Sequence, residues 1–291
     1  MTTIITLIYY FVFLLLYLKN VIGGVSFVVL LLLSLIILLI TLIVYRKKRA
    51  IKRKVLLATT MIALLFCYEL PLLFYDSYTH AAYRYTDPLE VYEGSGIYLI
   101  GVNRVDFQFT ENKNAVINFL KEQQIDFLDI IKITNSDRYG SKNRQLLKWF
   151  YLGKDSVEQM RENVNHFLGQ EDGNINKFLN NDHIDGSSAG LGLALTGLIL
   201  RGDLHTDLKI AVTGAINETG DVLTIGILKE KMQIAEKSGF SLMIIPSANR
   251  KEALEIQQKQ NLNIQILDVS HVDEAARLIN ELNDKTNEQN K

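Results

Sequence analysis

Three long apolar stretches open the chain, and a more polar sequence with short apolar runs follows them. Residues 2–18 and 21–45 contain no charged side chain, and residues 55–75 contain only Glu69. A bilayer core of about 30 Å needs about 20 apolar residues in a helix. The pattern therefore predicts a membrane domain over residues 1–76, with three transmembrane α-helices at about 2–22, 21–45 and 55–75. A cleavable signal peptide is disfavoured because the first stretch lacks a basic start and a small-residue cleavage site.

The orientation of these helices follows from the charges between the second and the third. Seven Lys or Arg side chains lie between Arg46 and Lys54, and such loops stay in the cytoplasm. The prediction is a multi-pass cell-membrane protein with a cytoplasmic N-terminus, in contact with membrane lipid, whose residues after Asp76 are extracytoplasmic. Glu69 lies near the outer end of the third helix, beside Pro71, so we expect its carboxylate to reach the interface.

The rest of the chain alternates apolar runs of strand length with runs of helical period. This pattern predicts a juxtamembrane linker at 77–93, one α/β (α+β) domain over 94–285 and a polar tail at 286–291. The predicted strands are Ile97–Val105, Phe127–Thr134, Leu208–Thr213, Leu242–Ile245 and Ile264–Val269, with a hairpin at Ile216–Ile225. The predicted helices are Asn112–Gln124, most of Ser141–Leu168, Gly190–Leu200, Leu228–Lys237 and Val272–Leu282, with a loop at 169–183.

Charge and cysteine content exclude several function classes. Residues after 76 hold 23 of the 31 basic and 30 of the 32 acidic side chains, which argues against nucleic acid as a partner. The single cysteine, Cys67, excludes a disulfide framework and a cysteine-rich metal site. No Gly-x4-Gly-Lys-Ser/Thr motif occurs, so no P-loop for ATP is expected. The five histidines show no ligand spacing, and neither a cofactor nor a metal is predicted.

Two segments carry candidate chemistry. Ser188 lies in Asp185-Gly-Ser-Ser-Ala-Gly190, directly before the apolar helix, where unpaired backbone N–H groups can stabilise an oxyanion. The alternative is an ordinary N-cap serine. Lys231 lies on the apolar face of the helix Leu228–Lys237, where burial would lower its pKa and let it act as a general base. The alternative there is a lysine whose stem covers the edge of the core.

The chain contains an ordered set of short motifs over about residues 185–250. They are Asp185-Gly-Ser-Ser-Ala-Gly190, Thr213-Gly214, Gly220-Asp-Val-Leu223, Ile225-Gly226, Lys229-Glu-Lys231 and Ile244-Ile-Pro-Ser-Ala-Asn249, and 43 positions separate Ser188 from Lys231. In type and order these segments resemble the proteolytic domain of the Lon proteases. The family pattern is Asp-Gly-Pro-Ser-Ala-Gly, a Thr-Gly strand end, a Gly-x-Val-Leu hairpin, Gly-Gly-x-Lys-Glu-Lys and Pro-x-x-Asn.

The resemblance implies a role for each matched residue. Ser188 is the nucleophile, Lys231 is its base, Thr213 orients the lysine and Asp185 modulates the site. Lys229, the first lysine of Lys-Glu-Lys, points away from the site. The backbone amides of Ser188 and Ala189 are expected to hold the oxyanion.

Three positions depart from the family pattern. Ser187 replaces the proline before the nucleophile, Ala215 replaces an acid, and Ile227 replaces the second glycine of Gly-Gly-x-Lys. None of these departures removes a member of the predicted Ser-Lys dyad.

The absence of an ATPase motif and the outward topology resemble the membrane-anchored, ATP-independent Lon-like peptidases. The PDZ domain usual in that subgroup is not expected, because residues 169–183 are too few to hold one. The resemblance implies a serine endopeptidase that cleaves peptides or unfolded segments and that can form a homo-oligomeric ring. The alternative is a catalytically degenerate Lon-like domain that serves as a membrane-tethered interaction or sensing module.

Overall fold

The computed structural model describes residues 2–150, 155–180 and 186–289. In chain order, its helices are α1 (Thr2–Leu18), α2 (Gly24–Val44), α3 (Arg49–Glu69), α4 (Leu72–Tyr75), α5 (Lys113–Glu122), α6 (Asn135–Trp149), α7 (Ser156–Leu168), α8 (Gly173–Leu179), α9 (Gly190–Leu200), α10 (Leu228–Lys237), α11 (Arg250–Gln260) and α12 (Val272–Gln289). The strands are β1 (Tyr78–Arg84), β2 (Leu89–Glu90), β3 (Ile97–Leu99), β4 (Asn103–Gln108), β5 (Phe127–Lys132), β6 (Ile210–Val212), β7 (Ala215–Ile216), β8 (Val222–Leu223), β9 (Leu242–Pro246) and β10 (Gln265–Val269).

The described residues divide into two compact units, each assembled from separate stretches of chain. The first unit contains residues 2–82, 105–124 and 130–150, and the second contains 83–104, 125–129, 155–180 and 186–289. Residues 77–93, expected as a linker, contain β1 and β2. The strands β4, β1 and β5 form a three-stranded sheet in that order, and all three contain a point where the chain passes from one unit to the other.

Among the described residues, two helical stretches of the first unit, α2 and the combined α3 and α4, are long and apolar enough to cross a membrane. They are Gly24–Val44 and Arg49–Tyr75, and they correspond to the second and third predicted spans. Helix α1 is apolar but has only 17 residues, which at 1.5 Å per residue extend about 25 Å.

The environment of Glu69 differs from the expectation. Its side chain is fully buried, and its carboxylate contacts Lys142 Nζ at 2.6 Å. Tyr10 and Tyr139 donate hydrogen bonds to the same carboxylate at 2.5 and 3.2 Å. The expectation that Glu69 reaches the interface is therefore wrong, because α6 supplies a buried cation from 73 positions further along the chain.

The second unit is built around a five-stranded sheet in the order β10-β9-β6-β3-β2. Four strands run parallel and β2 is antiparallel at one edge. Because strand side chains alternate between the two faces, Ile210 and Val212 pack in a core with α7, α9 and α12. Ala211, between them, packs on the opposite face with α10 and α11. This arrangement confirms the predicted mixed α/β class.

Several predicted elements need revision. The strand predicted over Ile97–Val105 is two strands, β3 and β4, and the helical region 141–168 contains the end of α6 and all of α7. The loop predicted at 169–183 contains α8, and α11 lies in a stretch for which no element was predicted. Helix α12 continues through the first residues of the predicted tail. Helices α9 and α10 have the predicted bounds.

Candidate active site

Ser188 lies at the start of α9, and its side chain faces Lys231. The Nζ atom of Lys231 is 2.6 Å from Ser188 Oγ. The position that caps α9 is Ala189, and no side chain caps this helix end. The N-cap alternative for Ser188 is therefore wrong. The contact of Lys231 with the Ser188 hydroxyl favours Ser188 over the neighbouring Ser187 as the partner of the lysine.

The backbone around Ser188 is fixed against the end of β6. The N–H of Gly214 donates to the Ser188 carbonyl at 2.8 Å, and the N–H of Leu191 donates to the Gly214 carbonyl at 2.9 Å. A Cβ atom at Gly214 would lie 3.1 Å from Cβ of Leu191, which is tighter than an ordinary van der Waals contact. A glycine at position 214 thus permits the close approach of helix and strand that holds Ser188.

Lys231 is an almost completely buried lysine between two hydroxyl groups. Only 5% of the residue is exposed, and Nζ also donates to Thr213 Oγ1 at 3.0 Å. Thr213 is fully buried and its hydroxyl donates to the Ser188 carbonyl at 3.3 Å. Burial lowers the pKa of Lys231 to about 8, because a desolvated ammonium loses preference for its charged form. At pH 7 about a tenth of Lys231 is therefore neutral, since one pH unit below a pKa leaves about a tenth of a base deprotonated.

The backbone N–H groups of Ser188 and Ala189 are candidate oxyanion donors. Among the residues that the structure describes, neither N–H has an acceptor, which suits a site that binds an oxygen during reaction. Asp185, the predicted modulating acid, lies outside the described residues.

Residues 165–281 match the Lon protease (S16) C-terminal proteolytic domain. The match contains Ser188, Thr213 and Lys231. It confirms the family resemblance that the motifs indicated.

Curated relatives match the same part of the chain. A Lon protease of Lawsonia intracellularis is 41% identical over 100 residues, which are 32% of this chain and 11% of the relative. A Lon protease of Endomicrobium trichonymphae is 36% identical over 94 residues, covering 32% and 12%. An archaeal Lon protease of Halobacterium salinarum is 32% identical over 91 residues, covering 31% and 13%. The chain thus spans only about an eighth of the length of these relatives.

Of the other two residues of the Lys-Glu-Lys motif, Lys229 lies as expected and Glu230 does not. Lys229 points away from Ser188, as the Lon resemblance implies, and pairs with Asp129 and with Glu230. Burial lowers the pKa of Lys229, but these carboxylates outweigh it and raise the pKa. Glu230, predicted on the polar face of α10, is only 6% exposed, because the ion pair with Lys229 lets its carboxylate be buried.

Asn249, the last residue of the Lon-like Pro-x-x-Asn motif, holds the segment that leads into α10. Its Oδ1 accepts the N–H of Ile225 at 2.9 Å and the hydroxyl of Thr224 at 3.1 Å. Its Nδ2 donates to the Ile225 carbonyl at 3.0 Å and to Glu252 at 2.9 Å. The sequence contained this asparagine in a motif but gave it no role, because Thr224 and Ile225 lie 25 and 24 positions away.

Changing Asn249 to aspartate should destabilise the Lon-like region by about 1–3 kcal/mol. Aspartate keeps the acceptor for the Ile225 N–H but loses the amide donor to the Ile225 carbonyl and repels Glu252. Thermal unfolding would measure this loss, and Asn249→Ala, which removes all four bonds, is the matched comparison. Unchanged unfolding temperatures for both variants would contradict a positioning role.

Ile227, the departure from the glycine of the Lon pattern, has an unusual backbone conformation. Its φ and ψ are 59° and 33°, in the left-handed region that β-branched residues rarely adopt. This strain typically costs about 1–3 kcal/mol, and a glycine would avoid it. The Ile227 side chain is 38% exposed, so little core packing offsets the strain.

Changing Ile227 to glycine should therefore raise the free energy of unfolding by about 1 kcal/mol. The relief of strain exceeds the extra flexibility that glycine gives the unfolded chain. The measurement is the unfolding temperature, with Ile227→Ala as control, because alanine keeps a Cβ atom and should gain less. A lower unfolding temperature for the glycine variant would show that the backbone conformation of Ile227 does not destabilise the protein.

Proposed function

We propose that this protein is a membrane-anchored, ATP-independent serine endopeptidase that uses a Ser188–Lys231 dyad. The single observation that carries the proposal is the 2.6 Å contact of Ser188 Oγ with a buried lysine whose pKa is lowered to about 8. A nucleophile within hydrogen-bond reach of a base of this kind is the arrangement that acyl transfer needs. The match of residues 165–281 to the Lon proteolytic domain supports peptide bonds as the target.

The proposed reaction has two acyl-transfer steps. Neutral Lys231 takes the hydroxyl proton as Ser188 Oγ attacks the peptide carbonyl, and the N–H groups of Ser188 and Ala189 bind the oxyanion. The protonated lysine then gives its proton to the leaving amine, and the C–N bond breaks. Water, deprotonated by Lys231, hydrolyses the acyl-enzyme and releases Ser188. Thr213 Oγ1 keeps Nζ aimed at Ser188 throughout, and Asp185 modulates the site.

The proposed substrates are exposed peptides and unfolded segments. A peptidase that works without ATP cannot unfold stable proteins, so the proposed ATP independence limits cleavage to chain that is already accessible. We place the catalytic domain outside the cytoplasmic membrane, with residues 1–76 as a three-span anchor and the Arg46–Lys54 loop in the cytoplasm. We also propose that copies of the chain associate into a ring and that no PDZ domain takes part in substrate selection.

The test uses the full chain in detergent and in vesicles, with a fluorescently labelled unfolded protein such as casein as substrate. Hydrolysis of equal rate with and without ATP and Mg²⁺ is expected, whereas a requirement for ATP would overturn the proposed ATP independence.

Topology is tested in a Cys67→Ser background by single cysteines at Lys52 or Leu254, labelled on intact cells with an impermeant thiol reagent. Only position 254 should react. Sedimentation in detergent tests the ring, which a monomer would exclude.

A second candidate function is a non-catalytic interaction or sensing module. The departures at Ser187, Ala215 and Ile227 favour it, because they alter the surroundings of the dyad. This alternative predicts no hydrolysis by the full chain in either detergent or vesicles, together with retained binding of unfolded protein.

The pH dependence of hydrolysis should follow Lys231. Because only neutral Lys231 can accept the serine proton, kcat/KM is expected to rise with pH through about 8 and to level off above it. At pH 7, about a tenth of the plateau rate is expected, since one pH unit below a pKa leaves about a tenth of the base deprotonated. A rate that is constant between about pH 6 and 9 would contradict Lys231 as the base.

A further inference from the structure

Helix α6 is fastened to the apolar helices of the first unit at its beginning. The Asn135 side chain donates to the Tyr17 carbonyl at 2.8 Å and to the Ile22 carbonyl at 2.9 Å. The Asn135 backbone N–H donates to Asn20 at 2.9 Å. These three acceptors belong to the end of α1 and to the turn before α2, so the first turn of α6 lies against the ends of two apolar helices.

A second attachment lies two turns further along α6. Lys142 pairs with Glu69 at the end of α3, and both side chains are fully buried. Nζ of Lys142 also lies 3.9 Å from the ring centre of Tyr68 and 4.2 Å from that of Tyr139. Asn135 and Lys142, seven residues apart, hold α6 against the apolar helices. The part of α6 after Lys142 therefore begins level with the ends of α1 and α3.

Beyond these contacts, the last turn of α6 exposes large apolar side chains to solvent. Leu147 is 48% exposed, Trp149 61% and Phe150 68%. Helix α4, which packs against α6, adds Phe74 with 76% exposure. Arg144 and Lys148 are exposed on the same two turns. Exposed aromatic side chains beside basic ones are typical of helices that lie in the membrane interface.

We propose that the C-terminal half of α6 is an interfacial membrane helix, which inserts Leu147, Trp149 and Phe150 at the boundary between headgroups and acyl chains. The inference rests on the membrane anchoring proposed above. Lipid is the occupant because α4, which packs against α6, places a further exposed apolar side chain, Phe74, at the end of the second candidate span. Arg144 and Lys148 complement the phosphate groups of lipid, and the indole of Trp149 combines an apolar ring with a polar N–H.

The test uses the intrinsic fluorescence of Trp149, which is the only tryptophan in the chain. The full chain is reconstituted in phosphatidylcholine vesicles whose acyl chains carry bromine near the headgroup or near the bilayer centre. We expect a blue-shifted emission, at least about twofold stronger quenching by the shallow bromines than by the deep ones, and little quenching by aqueous acrylamide. Emission that acrylamide quenches and neither brominated lipid affects would overturn the inference.

A control separates this inference from the anchoring on which it rests. In a Trp149→Phe background, Ile37→Trp places the reporter on α2, where Ile37 is 62% exposed. Deep quenching at position 37 without lipid quenching at Trp149 would overturn the interfacial helix and leave the anchoring intact. Absence of lipid quenching at both positions would overturn the anchoring. Trp149 that neither acrylamide nor brominated lipid reaches would be covered by protein, as in contact with a second copy, and the lipid assignment would be wrong.

Discussion

Replacing Ser188 by alanine is expected to lower kcat on peptide substrates by about 10⁴-fold or more. Without the hydroxyl, no acyl-enzyme forms, and only substrate binding and the backbone donors near the site remain. The measurement is the rate at which the full chain in detergent hydrolyses a fluorogenic peptide with a single cleavage site. Ser187→Ala is the matched control, because Lys231 contacts Ser188 Oγ. A variant Ser187→Ala that loses activity while Ser188→Ala retains it would contradict the assignment of the nucleophile.

Lys231→Met should abolish hydrolysis to a similar extent and at the same time stabilise the protein. The pKa of Lys231 is about 8 in the folded chain against an ordinary value of 10.5. The unfolded chain therefore binds the proton more tightly, and at pH 7 this difference lowers the free energy of unfolding by about 3 kcal/mol. The penalty fades as the pH rises from about 8 to 10.5. Methionine removes the penalty while keeping a side chain of similar length.

The two effects of Lys231→Met distinguish a lost base from a lost fold. An inactive variant with a higher unfolding temperature at pH 7, whose advantage shrinks at alkaline pH, is the expected result. An inactive variant with a lower unfolding temperature would attribute the loss to misfolding. Residual activity near that of the unchanged chain would show that a group other than Lys231 accepts the proton.

The parts of the candidate site that could be predicted from sequence are those determined locally. Helix α9 is an unbroken run of apolar and small residues, α10 has apolar residues at helical spacing, and glycines flank both helices, so their bounds were predictable. The same periodicity placed Lys231 toward the core, as the structure confirms. The direct contact between Lys231 and Ser188 could not be predicted from periodicity, because periodicity does not show that a residue of α10 lies beside the start of α9. Only the family resemblance linked the two.

The parts that the sequence did not predict depend on contacts between distant segments. Glu230 falls on the polar arc of α10, where periodicity predicts exposure, and its partner Lys229 also pairs with Asp129, 100 positions away. Asn249 acts on the backbone of Ile225 from another element of the second unit. Lys142 lies among polar residues of α6 and gives no local sign that it is buried. Periodicity describes the faces of one helix, whereas these three side chains are determined by what packs against that helix.

Breaking the buried pair Glu69–Lys142 should destabilise the first unit by about 3–5 kcal/mol for either single change, Glu69→Gln or Lys142→Met. Each change leaves a charge in an apolar environment without its partner. The double variant should recover most of the loss, because both charges are gone and the glutamine oxygen can still accept from Tyr10 and Tyr139. Unfolding of the full chain in mixed micelles, followed by Trp149 fluorescence, measures all three variants.

An exposed ion pair gives the matched comparison for Glu69–Lys142. Lys237 pairs with Asp126 on the surface, with side-chain exposures of 51% and 65%, and Lys237→Met should change the free energy of unfolding by less than about 1 kcal/mol. A coupling energy near zero in the Glu69–Lys142 double-mutant cycle would contradict the buried pair. A coupling of about 3 kcal/mol or more would show that α6 is fastened to the apolar helices by mutual neutralisation of two buried charges. Together with the hydrogen bonds of Asn135, that attachment holds α6 against the ends of the apolar helices.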